Sequence, residues 1–281
     1  MSNRTLGQVG GTVIIRLSRA QPVHRMIKLL LNSLPTRTRA WLRARRSELA
    51  VAAGERLVPE KELERKYEEA LRFLANQHGT DALGDYLEFG VFHGASLACM
   101  HRALKSQGIE HVRLFGFDSF AGLPAAADIE DDGAFHAGQF TADEPLVRRL
   151  LTDQGLDWQR TVLVKGWFSD ALTEELAARY RMTKASIIMV DCDIYSSTRD
   201  ALRFCAPLIR DETIIFFDDW TASDLDVKNM GEKRAFDEFL QENPQLTAEE
   251  IGRYVHHELP PPAPEGLIFR VRRRTANSDS F

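Results

Sequence analysis

From residue 86 onward, short apolar runs alternate with segments whose apolar residues recur at helical spacing. The runs at 86–90, 112–118, 161–165, 186–191 and 213–218 read as strands. The stretches 96–106, 146–155, 171–181 and 197–209 read as the helices between them. Such alternation predicts an α/β fold, with a parallel sheet covered by helices on both faces and right-handed crossovers. The C-terminal end differs. Residues 251–257 and 267–271 flank Pro260-Pro261-Pro262-Ala263-Pro264 and read as two strands joined by a stiff loop, an antiparallel hairpin rather than another βαβ unit. Ahead of the sheet, Leu63, Tyr67, Leu71 and Leu74 form the apolar stripe of a helix that begins at Pro59 and closes at Gly79. Further upstream, Val23, Met26, Ile27, Leu30 and Leu34 repeat at helical spacing among basic residues. There is no internal repeat, and the polar tail 272–281 is expected to fray.

Composition adds a boundary. Residues 1–58 hold eleven lysines and arginines against two acids, +9 in a chain whose net charge is −5, so the remainder carries −14. The expected organisation is a basic helical N-terminal arm over 1–58 and one α/β domain over 59–281. A basic amphipathic segment suits a membrane surface or a phosphate backbone. Packing on the acidic body of its own or a sister subunit is the preferred reading, and no nucleic-acid partner is expected. No apolar run approaches the roughly 18 residues of a membrane span. Cys99, Cys192 and Cys205 show no CxxC spacing, which points to a reducing compartment and a cytoplasmic location.

In an open α/β sheet, ligands bind beyond the carboxyl ends of the strands, so the residues at those ends carry the chemistry. The first strand ends Leu87-Glu88-Phe89-Gly90-Val91-Phe92-His93-Gly94-Ala95-Ser96. Gly90 and Gly94 permit a tight turn into a helix N-terminus, but Phe92 makes this something other than GxGxxG. The second ends on Asp118, an acid able to accept ribose hydroxyls. The fourth ends Asp191-Cys192-Asp193-Ile194-Tyr195-Ser196-Ser197-Thr198, and the fifth Asp218-Asp219-Trp220. Four carboxylates thus terminate two apolar strands expected to be neighbours. Burying them uncompensated is costly, so a cation or basic groups must balance them. Hard oxygen donors favour Mg²⁺, Mn²⁺ or Ca²⁺ over zinc. Helix capping would explain one acid per strand end, but not the adjacent pair after Phe216-Phe217.

These segments, together with Gly116-Phe117-Asp118-Ser119-Phe120-Ala121-Gly122-Leu123-Pro124, resemble the macrocin O-methyltransferase family in order and spacing across about residues 85–272. The Phe-Asp-Ser-Phe-x-Gly-Leu-Pro and Asp-x-Asp-x-Tyr-x-Ser-Thr stretches are specific together; the glycine loop alone is not. The resemblance implies a Rossmann-like class I fold, a second helical part at the N-terminus, homo-oligomers, and methyl transfer from S-adenosylmethionine to a sugar or related polyol hydroxyl with Mg²⁺ or Mn²⁺. It implies that Glu88, Gly90 and Gly94 line the methionine end of the cofactor. Asp118 holds the ribose with Ser119 and Phe120 nearby, and Gly166, Trp167 and Phe168 border the adenine. Asp191, Asp218 and Asp219 bind the metal, with Asp193 a second-rank ligand. Trp220 stands where a tyrosine is common and Cys192 where glycine is common; neither change removes a charge.

An alcohol is a poor nucleophile until its proton leaves. A metal on the acceptor oxygen would lower its pKa, a carboxylate, foremost Asp191, would take the proton, and two vicinal hydroxyls would chelate. His93, His136, His256 and His257 rank below Asp191 as bases. The acidic run 128–132 reads as a solvated face, the long segment 125–141 as a lid, and 228–234, pivoting on Gly231, as a closing segment. Two other readings compete: an NAD-dependent oxidoreductase on the same type of sheet, which the missing GxGxxG disfavours, and a non-catalytic cofactor-binding relative.

Overall fold

The computed structural model of the chain describes residues 59–255 and 265–274. The expected arm, the boundary at 58, His256, His257 and the proline loop lie outside the described residues.

The chain enters through helix α1 (Glu60–His78), whose buried face is the expected Leu63, Tyr67, Leu71 and Leu74 stripe. Five parallel strands follow with their crossovers: β1 (Asp85–Phe89), α2 (Ala95–Ser106), β2 (Leu114–Asp118), α3 (Glu144–Asp153), β3 (Thr161–Lys165), α4 (Phe168–Ala171), α5 (Glu174–Arg179), β4 (Ala185–Val190), α6 (Tyr195–Cys205) and β5 (Glu212–Phe217). Then come α7 (Leu225–Lys228), α8 (Gly231–Glu242), β6 (Leu246–Val255) and β7 (Glu265–Arg273). The sheet has seven strands in the order β3-β2-β1-β4-β5-β7-β6, with β7 antiparallel to both β5 and β6. β1, β4 and β5 are buried along their whole length, as strands covered on both faces must be. One core packs the sheet against α1, α2 and α3; a second packs the other face against α6 and α8. The strand order reverses between β1 and β4, which opens a crevice at their carboxyl ends.

Three expectations shift. The helix expected over 171–181 is two short ones, because Thr173 caps a new start by accepting from the Leu176 amide. Helix α8 was not anticipated: residues 228–234, read as a closing segment, straddle the end of α7 and the start of α8, and Gly231, at φ 56°, is buried there. Strand β6 begins five residues earlier than expected; it is an outer strand whose register shifts between Glu250 and Gly252, so apolar alternation is broken.

Candidate active site

The switch-point crevice is a cavity of about 730 Å³. Of the expected residues, Gly90, Asp118, Ser119, Gly166, Trp167, Phe168, Asp191, Asp193, Asp218 and Asp219 line it. Glu88, Gly94 and Phe120 do not. Gly94 is the left-handed residue that starts α2. Phe120 joins the core. Glu88 is fully buried behind the wall, where its two oxygens accept hydrogen bonds from Tyr86 Oη (2.5 Å) and Ser96 Oγ (2.8 Å). Burial pushes its carboxyl up to about 8. Ser96, which no sequence argument singled out, takes its place at the cavity.

The β1 turn depends on glycine. At Gly90, φ is +92°, and an added Cβ would fall 1.6 Å from the Asp191 carbonyl oxygen. The ends of β1 and β4 therefore approach as closely as backbones can, and Asp191 is delivered directly beside the turn. Asp118 ties the same turn to β2: its Oδ2 accepts from the Val91 and Phe92 amides (2.8 and 3.0 Å), and its Oδ1 from the Phe120 amide (2.6 Å). A carboxylate offers about four acceptor positions, so one remains for a ligand hydroxyl.

Asp191, Asp218 and Asp219 each bring one oxygen to within 4.8 Å of the others. At an effective dielectric of about 20, each such pair repels by at least about 3.5 kcal/mol when both members are charged. Burial, then the charges of Asp218, Asp219 and Asp193, push the Asp191 carboxyl well above the usual range. The set is relieved by protons or by a cation, and all-oxygen donors suit a small hard divalent one. Asp193 lines the cavity outside this trio, with a strained φ of +67°. Helix capping does not explain these acids. α6 has no side-chain cap from Asp191 or Asp193; its first amides, Tyr195 and Ser196, donate instead to Asp131 Oδ2 (2.7 Å) and Glu130 Oε2 (3.0 Å).

That observation corrects the reading of 128–132 as a solvated face at Glu130 and Asp131; Asp128, Ile129 and Asp132 are exposed, as expected. Asp131 is buried, and its other oxygen accepts from the Gly231 amide (2.8 Å) at the start of α8. Ala127 and Phe135 anchor the segment 125–141 in a small apolar cluster with Ile194, Ala222 and Leu225, and Ala126 and Phe140 bring it to the cavity wall. Two further groups were not foreseen. Glu232 accepts from the Asp219 amide (3.1 Å), and Tyr254 donates to Asp218 Oδ1 (2.6 Å). Among the histidines, His93 stacks on Phe92 at the cavity, and burial lowers it to about 4. His136 is exposed beside Asp128.

The fold is shared with solved O-methyltransferases. The structure of the O-methyltransferase NovP superposes with a TM-score of 0.58 at 20% identity over 75% of this chain and 79% of that one. The calicheamicin methyltransferase CalS11 gives 0.55 at 22% over 95% and 98%. In sequence, the 8-demethyl-8-(2,3-dimethoxy-alpha-L-rhamnosyl)-tetracenomycin-C 4'-O-methyltransferase of Streptomyces olivaceus is 30% identical over 143 residues, 49% of this chain and 53% of that protein. Demethyldecarbamoylnovobiocin O-methyltransferase of Streptomyces niveus is 26% identical over 151 residues, 50% and 55%. The chain spans about half the length of these curated relatives. The Macrocin-O-methyltransferase (TylF) family model matches residues 60–246. That span runs from α1 to the first residue of β6 and holds every acid that lines the cavity; with two thirds of its length so matched, the chain belongs to the macrocin O-methyltransferase family.

Proposed function

We propose that the chain is an S-adenosylmethionine-dependent O-methyltransferase that methylates a sugar or related polyol hydroxyl of a natural product or glycoconjugate, with Mg²⁺ or Mn²⁺. One observation carries the reading: the Asp191, Asp218 and Asp219 oxygens meet in the same cavity as the Gly90 turn and Asp118. The relatives' names, which specify the 4'-position of a rhamnosyl-tetracenomycin and demethyldecarbamoylnovobiocin, support the acceptor class.

When bound, the cofactor supplies an electrophilic methyl, and the cation supplies a lowered pKa at an acceptor hydroxyl. The chain does the rest. Gly90 and Ser96 border the methionine end, Asp118 offers its remaining acceptor position to a ribose hydroxyl, and Trp167 presents a ring face to the adenine. Asp191, Asp218 and Asp219 hold the cation. Asp191 would take the acceptor's proton, and Ala126 and Phe140 of the 125–141 segment would help keep water from it. Holding the acceptor oxygen in line with the methyl supplies much of the remaining rate.

The test is radiolabelled methyl transfer to a panel of deoxysugar glycosides. Transfer is expected to vanish in EDTA, return with Mg²⁺, and be absent in Asp219→Ala. Turnover by thoroughly metal-free enzyme would overturn the cation. Tight NADH binding without S-adenosylhomocysteine binding would overturn the methyltransferase in favour of an oxidoreductase.

A further inference from the structure

Tyr254 sits on β6, the outermost strand, yet its side chain is 1% exposed and its hydroxyl reaches Asp218 Oδ1 at 2.6 Å. The path is built for it. Its partner in register on β7 is Gly266, where an added Cβ would lie 2.2 Å from the Tyr254 ring carbon Cζ. Any side chain at 266 would displace the ring. The ring rests beside Phe216, 6.3 Å between centroids. The hairpin is also clipped to the turn that follows the acids: the Glu265 amide donates to Thr221 Oγ1 (2.7 Å), and the Thr221 amide to the Glu265 carbonyl (3.4 Å). Tyr254 is not on the cavity wall, and it lies beyond the 60–246 span that the family match covers.

From this geometry we infer that Tyr254 is a positioning residue that fixes the orientation of Asp218, and that the C-terminal hairpin exists in part to deliver it. The inference rests on the reading that the three aspartates take a divalent cation. A short O–H···O⁻ bond to one carboxylate oxygen is charge-assisted and holds the side chain in one rotamer. The carboxylate is then oriented without further ordering cost when the cation arrives. Asp219 is steadied differently, through its peptide, by Glu232. The two adjacent acids are thus held by separate elements, β6 for the one and α8 for the other. Groups that orient a metal's ligands in this way typically change its affinity by roughly 10- to 100-fold when removed.

The test is Mn²⁺ titration calorimetry of EDTA-stripped full-length chain, with S-adenosylhomocysteine affinity and thermal midpoint measured alongside. Tyr254→Phe keeps the ring and removes one oxygen; it is expected to weaken Mn²⁺ by about 10-fold or more, leaving cofactor affinity unchanged and lowering the thermal midpoint no more than the control below. Tyr67→Phe is the control: that hydroxyl is equally buried but bonds to Tyr86 (3.0 Å), and its loss is expected to leave Mn²⁺ binding as in wild type. Equal Mn²⁺ affinity in Tyr254→Phe and wild type would overturn the inference and leave the cation reading standing. So would equal weakening by both variants, which would mark a general loosening of the core. Failure of wild type itself to bind Mn²⁺ would overturn the cation reading and this inference with it.

Discussion

Replacing Gly90 by alanine adds one methyl group where two strand ends meet. The new Cβ would stand 1.6 Å from the Asp191 carbonyl oxygen, and since real contacts of this kind stay beyond 3.0 Å, the β4 end has to retreat by about 1.4 Å. The obstacle is backbone, so no rotamer change relieves it. The retreat strains the two hydrogen bonds that close the turn, Gly90 N to Phe117 O and Asp191 N to Phe89 O, each 2.9 Å. At about 1 kcal/mol for each bond, and 1–2 kcal/mol for a non-glycine residue at positive φ, the cost comes to about 3–4 kcal/mol. Gly108→Ala isolates the conformational part: its φ is +68°, and nothing lies within 4 Å of its Cβ position. That variant is expected to lose only the conformational part, about 1–2 kcal/mol. Urea unfolding gives both values. Calorimetry with S-adenosylhomocysteine and Mn²⁺ gives the functional half, because displacing Asp191 by more than an ångström takes it out of a trio only 4.8 Å across. If Gly90→Ala proves no less stable than Gly108→Ala and binds both ligands, the close approach of β1 and β4 does not govern the site.

Three further outcomes follow from the same geometry. Glu88 is raised in the folded state from 4.5 to about 8 by burial; it therefore adds stability below pH 4.5 that is lost as pH rises through 8, with a slope of up to about 1.4 kcal/mol per unit. Urea midpoints of Glu88→Gln between pH 5 and 8 are expected to fall less than those of wild type, and parallel curves would refute the assignment. Asp131→Ala removes acceptors from the first amides of two helices and is expected to cost about 2 kcal/mol, whereas Asp132→Ala breaks only an exposed pair with Lys228 and is expected to cost under about 1 kcal/mol. Equal unfolding midpoints for the two variants would remove the capping role. Trp167, 38% exposed at the cavity, is expected to contribute cofactor binding rather than stability; Trp167→Ala should weaken S-adenosylhomocysteine about 10-fold with little change in thermal midpoint, and the reverse pattern would make it a core residue.

What was legible in the sequence, and what was not, divides along the range of the interactions. Strands β1, β4 and β5 were legible because they are buried along their whole length and so read as largely apolar runs bounded by turn residues, and the edge strand β3 because it alternates buried and half-buried positions. The acid trio was legible for a related reason. Two adjacent aspartates stand directly after Phe216-Phe217, and the short helices that follow them carry no side-chain cap at Thr221 or Asp224. Helix α8 was missed because its start carries no local cap: Met230 offers none, and the Gly231 amide is satisfied by Asp131, a hundred residues earlier. The same aspartate passed as solvated, since its partners are backbone amides on two other elements and leave no mark in its own neighbourhood. Residues 128–132 and 230–231 are therefore one structural feature written in two distant places, and neither can be read without the other.

Glu88 shows the converse limit. A charged residue inside an apolar strand announces that something compensates it, but not whether that something is a ligand or the protein itself. Here it is Tyr86 and Ser96, and only Ser96 reaches the cavity. Tyr254 carries even less signal, because an aromatic residue on a polar outer strand looks like surface. It is Gly266, across the strand pair, that lets its hydroxyl through to Asp218. The residues that hold Asp218 and Asp219 in place thus come from β6 and α8, elements that contribute none of the three acids. Exchanging strand-end residues alone between relatives would move the acids without the hydroxyl, amide and glycine contacts that aim them. A graft of Asp191, Asp218 and Asp219 onto another sheet of this order is therefore expected to bind Mn²⁺ more weakly than this chain, until a donor equivalent to the Tyr254 hydroxyl is supplied with it.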